Sequence, residues 1–225
     1  DDTIDPDFVD ICMRAAGYDT HVGVIRTGTR IMDAAGTVLH EGKNGVAGLS
    51  TTDFFLGWFR GTTPLYLCST LYNCDGLKRI GGFHSRHNLF QDVVAMARLA
   101  ATNGRVDIED PKASARQHGG KWTHVARVRE WCEDSLELLD LLCELTPDKP
   151  AEVRERGLQF FINVNYNRAS DVHALVERFN AYLIVYRLFG GRRLPPAGMV
   201  FRSTALYHGL RHIKRKILGM PAWVD

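Results

Sequence analysis

Four short stretches of this 225-residue chain hold side chains able to do chemistry. The first is Asp1-Asp2-Thr3-Ile4, followed by Pro6-Asp7-Phe8. Two adjacent carboxylates ahead of a helix cannot both enter a core, because a buried unpaired charge is very costly. At the end of a strand they would offer hard oxygen ligands to a divalent cation. A solvated acidic terminus accounts for the same residues, and composition alone favours it. The second is Asp92, at the head of an amphipathic run. The helix dipole favours an ionised carboxylate there, and such a group facing a cleft can take a proton from a hydroxyl nucleophile. Taken alone, plain helix capping is its commoner use. The third runs from Arg116 through Gln117, His118, Gly119, Gly120 and Lys121 to Trp122. Here His118 could ligate a metal, Arg116 or Lys121 could pair with phosphate, and the glycines would let the loop bend around a ligand; a solvated loop is the alternative. The fourth is Gly81-Gly82-Phe83-His84-Ser85-Arg86-His87, whose glycines, aromatic ring and polar side chains suit a sugar or another polyol, or an ordinary surface loop.

The elements that must carry these groups are legible from periodicity and punctuation. Residues 4–19 read as a helix, with Pro6 in its first turn and Gly17 as its stop. Residues 21–26 alternate as a strand, and 30–40 read as a hairpin turning at Ala34-Ala35-Gly36. A loop over 42–48 leads to a short helix, 51–59, capped by Thr51 or Thr52. Residues 65–72 are apolar on both faces and predict a buried strand. Asn73 caps a short helix ending at Gly81-Gly82. An irregular stretch, 83–91, precedes a helix over 92–104, and 105–110 alternate as a strand. Beyond Trp122 three long helical patterns follow, at about 124–145, 151–168 and 170–189, the third starting at Ser170-Asp171 and ending at Gly190-Gly191. Past Pro195-Pro196, a last helix is expected over 203–218.

Composition narrows the field. Lys plus Arg outnumber Asp plus Glu by only 28 to 26, so net charge gives no support to nucleic-acid binding. A hydrophobic fraction of 45% and a charged fraction of 24% exclude a mainly disordered chain. The five cysteines (12, 68, 74, 132 and 143) form no C-x-x-C pair and read as reduced thiols in a cytosolic setting. No apolar run reaches the ~18 residues that span a bilayer, and no secretory signal is expected. Hydrolase signatures such as G-x-S-x-G or H-E-x-x-H do not occur.

Each of the four stretches is weak alone; their order is specific. An Asp-Asp pair with a Pro-Asp-Phe helix comes first. A strand, turn and helix then end in Leu77-Lys78-Arg79-Ile80-Gly81-Gly82-Phe83. Gln91-Asp92 opens the next helix with Arg98-Leu99 behind it, and Asn103-Gly104, a strand and Arg116-Gln117-His118 close the series. Over about residues 1–124 this resembles the second half of the inverting glycosyltransferases of family 2. The resemblance implies an α/β, GT-A-like mixed sheet with flanking helices, with its N-terminal half missing, followed by an α-helical C-terminal region. The corresponding domains are 1–122 and 123–225. It implies that Asp1 and Asp2 match the family's metal motif, where the last Asp binds Mg²⁺ or Mn²⁺ bridging the diphosphate of a nucleotide sugar, a UDP-sugar first of all. By the same resemblance Asp92 is the base that deprotonates the acceptor hydroxyl, and His118 falls where some members add a metal or diphosphate contact, with Arg116 and Lys121 beside it. Gly82, Phe83, His84, Arg86 and Gln91 fall where donor sugar and acceptor meet. Many members carry Glu where this chain has Gln91. The family's nucleobase-gripping βαβ unit would precede Asp1, so the chain alone is expected to be inactive.

One base without a second nucleophilic carboxylate implies a single displacement and inversion. The expected acceptor is a carbohydrate or a lipid-linked sugar in cell-surface polysaccharide or glycoconjugate synthesis. Residues 186–225 carry eight basic side chains against Asp225 alone, and Tyr207, Leu210 and Ile217 form one stripe of the last helix. Such a helix can lie on an anionic membrane, which would place the protein in the cytoplasm at the inner face of the plasma membrane. Packing of that stripe on the protein is the commoner arrangement. A noncatalytic binding or scaffold module built on a degenerate transferase half is the competing class.

Overall fold

The computed structural model describes residues 2–117 and 127–195; Asp1, His118 and Lys121, and the expected helix over 203–218 with its membrane contact, lie outside them. Among the described residues the fold is α/β, with a mixed five-stranded sheet and seven helices.

The chain divides into two compact units. One takes residues 1–126 and 133–160; the other takes 127–132 and the chain from 161 on. Residues 133–160 thus group with the first unit.

In the first unit, β1 (Thr3–Ile4) leads to α1 (Phe8–Ala15). This helix stops where Gly17 and Tyr18 turn left-handed, at φ 60° and 57°, and the Tyr18 amide donates to the Met13 carbonyl at 2.8 Å. Strand β2 (Val24–Met32) outruns the expected strand and enters the hairpin directly, turning at Gly36 into β3 (Val38–Gly42). Helix α2 spans Thr51–Phe59, and its cap is Ser50, whose hydroxyl accepts the Asp53 amide at 3.0 Å, in place of Thr51 or Thr52. Strand β4 is only Thr70–Tyr72. Residues 65–67 are not strand, and Leu67 is half exposed; their two-faced apolarity serves the wall of a cleft instead of a sheet interior. Asn73 caps α3 (Cys74–Arg79) by accepting the Gly76 amide at 2.6 Å, and Gly81 and Gly82 end it at φ 86° and 83°. Helix α4 (Gln91–Asn103) stops at Gly104 and feeds β5, which runs the full length Arg105–Arg116.

The sheet order is β1-β5-β2-β3, with β4 pairing β2 from outside that path. Strands β2 and β5 are parallel; β1, β3 and β4 pair antiparallel. The β2–β5 register shifts on both sides of Gly28. Phe8 and Cys12 of α1 pack on Ile25 of β2, joined by Leu71, Val106 and Ile108. Helix α4 lies so close to the sheet that a Cβ at Gly23 would sit 2.3 Å from the Leu99 carbonyl oxygen, so only glycine fits there.

Helices α5 (Val128–Leu145) and α6 (Pro150–Ser170) follow. Within the first unit, Asp140 pairs with Arg154 at 2.8 Å and Asp53 with Lys149 at 3.4 Å. In the second unit, α7 spans Leu175–Leu188; Ser170 ends α6 and does not start α7, because residues 171–174 turn before the helix resumes. Gly190 and Gly191 end α7 at φ 71° and 69°. The Tyr166 and Tyr182 rings lie 6.0 Å apart, tilted by 59°, and the Tyr166 hydroxyl donates to the Arg193 carbonyl. Arg168 lies 3.6 Å over the Trp131 ring, and burial lowers its pKa to about 10. None of the described helices is long and apolar enough to cross a membrane. All five cysteines are free thiols; Cys12, Cys132 and Cys143 are buried.

Candidate functional site

Asp92 is the second residue of α4, and Phe90, not Asp92, is the cap. Its carboxyl pKa is raised, because burial disfavours the charge more than the Val93 and Asp92 amides favour it. It faces a cleft walled by Arg26, Leu65, Tyr66, Thr70, Tyr72 and Met96. The cavity is small, about 10 Å³, room for one water or one hydroxyl group.

Tyr72 comes from β4. Its hydroxyl donates to the Asp92 backbone carbonyl at 3.5 Å. Burial, and then the Asp92 charge, raise its pKa, so the phenol remains a proton donor near neutrality. Its ring meets Phe83 edge to face at 5.1 Å. Tyr72 thus joins the Gly82–Arg86 loop to the start of α4.

Arg26 of β2 is almost wholly buried. It lies 3.5 Å from Asp107 and 4.7 Å from the Phe54 ring centre, and burial lowers its pKa to about 10. It donates to the carbonyl of Pro64, which fixes the start of the 65–67 wall. Neither Tyr72 nor Arg26 stood out in the sequence. The available signal was an arginine inside an apolar, β-branched strand, since a charge there needs a partner.

In the fourth stretch, Phe83, His84 and Arg86 are exposed, while Gly82 and Gln91 are half-buried. Ser85 is buried and points inward. Arg86 lies 3.8 Å from Glu133, which also contacts the His87 ring at 2.8 Å.

Asp2 lies in a different setting. It is exposed, and its Oδ1 accepts the Arg116 backbone amide at 2.9 Å. The β1–β5 register, Thr3 against Ser114, makes that contact. Arg116 is the last residue of β5, inside the strand instead of after it, and its guanidinium donates to the carbonyls of Asp33 and Ala34 at the β2–β3 turn. Nearby, Asp5 takes a two-pronged contact from Arg30 at 2.9 and 3.1 Å, and the Lys112 ammonium, 2.8 Å away, lowers the Asp7 pKa. The structure therefore brings Asp2 and Arg116 together, and separately brings Asp92 near the 82–86 loop. No described contact joins the two groups. Arg26, by the Asp92 cleft, is in register with Asp107, nine residues before Arg116, a span of up to ~30 Å if fully extended.

Among the described residues no three His, Cys, Asp or Glu side chains gather as a metal cluster. A diphosphate-bound Mg²⁺ does not need one: it is commonly held by one or two carboxylates plus phosphate oxygens. An exposed Asp2 with Oδ1 on a backbone amide is compatible with that pattern.

No family model matches the chain, and no curated protein matches its sequence.

Proposed function

We propose that the chain is the acceptor-side part of a GT-A-like, inverting, metal-dependent glycosyltransferase that moves a sugar from a nucleotide-diphosphate donor, first of all a UDP-sugar, to a carbohydrate or lipid-linked hydroxyl. The observation that carries the reading is Asp92: a half-buried carboxylate of raised pKa at the head of a helix, in a cavity that admits one hydroxyl group. A base more basic than an ordinary carboxylate is what deprotonation of an alcohol calls for.

In this reading Asp92 takes the acceptor proton as the acceptor oxygen bonds to the anomeric carbon, and the bond to the diphosphate breaks with its electron pair leaving on the phosphate. Asp2, with Asp1 and His118 from the sequence, would hold Mg²⁺ or Mn²⁺, which supplies charge neutralisation on the departing diphosphate. Arg116 and Lys121 add positive charge there. Phe83, His84, Arg86, Gly82 and Gln91 line the approach of the sugars, and Tyr72 sets the loop against the base. The work would be cytoplasmic.

The test is a thermal-shift screen of nucleotide sugars, with and without Mn²⁺, on the full-length natural protein, followed by transfer assays. Metal-dependent stabilisation by a nucleotide sugar and loss of transfer in Asp92→Asn are the expected results. Transfer at the wild-type rate by Asp92→Asn would remove Asp92 as the base; no nucleotide-sugar binding and no transfer by the wild type would sink the reading and favour a scaffold.

A further inference from the structure

We propose that Asp134, on α5 and outside the stretch that resembles transferases, is a positioning residue for Asp92 and the sugar-facing loop; the catalytic side of this claim rests on the transferase reading above. Asp134 is 1% exposed. Its Oδ2 accepts the Ser85 hydroxyl at 2.7 Å and the Leu89 amide at 3.0 Å, and its Oδ1 accepts the His87 amide at 2.8 Å. The Ser85 oxygen in turn accepts the Phe90 amide at 3.3 Å. One buried carboxylate thereby satisfies, directly or through Ser85, three backbone amides of a six-residue segment. Asn88 in that segment takes a left-handed turn, at φ 58°.

This segment, which contains Arg86, sits between Phe83 and His84 on one side and Asp92 on the other. Helix α4 has no side-chain cap of its own; its entry is set by the amides of Leu89 and Phe90, and so by Asp134 and Ser85. Glu133 adds its contact with the His87 ring at 2.8 Å. An active-site displacement of about 1 Å can cost on the order of 100-fold in rate, so the pin governs catalysis without touching substrate. Residues 133–145 of α5 are then part of the catalytic unit.

Replacing Asp134 with Asn puts an NH₂ group against N–H or O–H donors. In the full-length protein, Asp134→Asn is expected to lower kcat by ~10- to 100-fold. The donor KM should stay within about twofold of wild type, since the nucleotide contacts are not moved. Amide exchange at His87 and Leu89 should rise about tenfold or more, while Ile25 and Val106 keep their protection. Ser85→Ala removes one contact and carries the same test if Asp134→Asn does not fold, with smaller changes in the same direction. Asp140→Ala, on the same helix but exposed, should move none of these. Unchanged exchange at 87 and 89 in both variants overturns the proposal whatever the reaction is. So does raised exchange with wild-type kcat. No transfer and no nucleotide-sugar binding by the wild type overturns the transferase reading instead, and the exchange arm still decides whether Asp134 is the pin.

Discussion

Two candidate groups use the same side chain in opposite surroundings. Asp2 stands exposed at a strand edge, held by one backbone amide of Arg116. Asp92 stands half-buried at a helix head, in a cleft built from β2, the 65–67 segment, β4 and α4. A cation binds where a carboxylate keeps water and free lone pairs; a proton is taken where the charge is costly and protonation relieves the cost. The contrast teaches that environment, more than residue type, assigns such roles.

The largest expected effect falls on the buried side. Asp92→Asn should lower transfer by on the order of a thousandfold, as loss of a general base does, with nucleotide binding retained in a calorimetric titration. Equal loss of binding would blur the contrast. Asp2→Asn should act through the metal: a loss of ~10- to 100-fold in kcat/KM at low Mn²⁺, partly recovered at high Mn²⁺. No dependence on Mn²⁺ would remove Asp2 from the pair. Tyr72→Phe keeps the Phe83 contact and deletes only the hydroxyl, so a decrease of about tenfold or less in kcat is expected, consistent with one neutral hydrogen bond.

Smaller still is the pH dependence of stability. The Asp92 pKa is raised in the fold, so its contribution is fully present below the unfolded pKa and is lost as pH rises through the folded value. Asp7 has the reverse sign: its lowered pKa gives a contribution present above the unfolded value of 3.8 and lost as pH falls through the folded value. Asp92→Asn should therefore melt a few degrees higher than wild type at neutral pH, by about 2–4 °C for each kcal/mol relieved in a chain of this size. An Asn variant that melts lower would show that the buried charge is better compensated than its surroundings suggest.

Much of the first unit was legible because it depends on local rules. Gly17, Asn73, Gly81-Gly82 and Gly104 punctuate helices by capping and by left-handed backbone, and these act over a few residues. The misreadings share one cause. Residues 65–67 have strand-like side chains, yet they form no strand; Arg26 donates to the Pro64 carbonyl at their start, and they line the cleft. Ser170 looked like a helix start, but α6 runs through to it and 171–174 turn before α7. In both places the outcome depends on a neighbour distant in sequence or on the packing of a whole helix.

Asp134 shows the same limit from the other side. It lies in the apolar stripe of α5, three residues after Trp131 and four before Leu138, where a carboxylate is an anomaly that asks for partners. The sequence could flag that anomaly without naming the partners, which lie 45 to 49 residues away. Periodicity and turn chemistry determined the α/β class, most element positions and the residue types able to handle a metal, a proton and a sugar. The tertiary structure alone decided which carboxylate is buried, which is exposed, and what pins each in place, because burial and long-range hydrogen bonds exist only once distant segments are packed together.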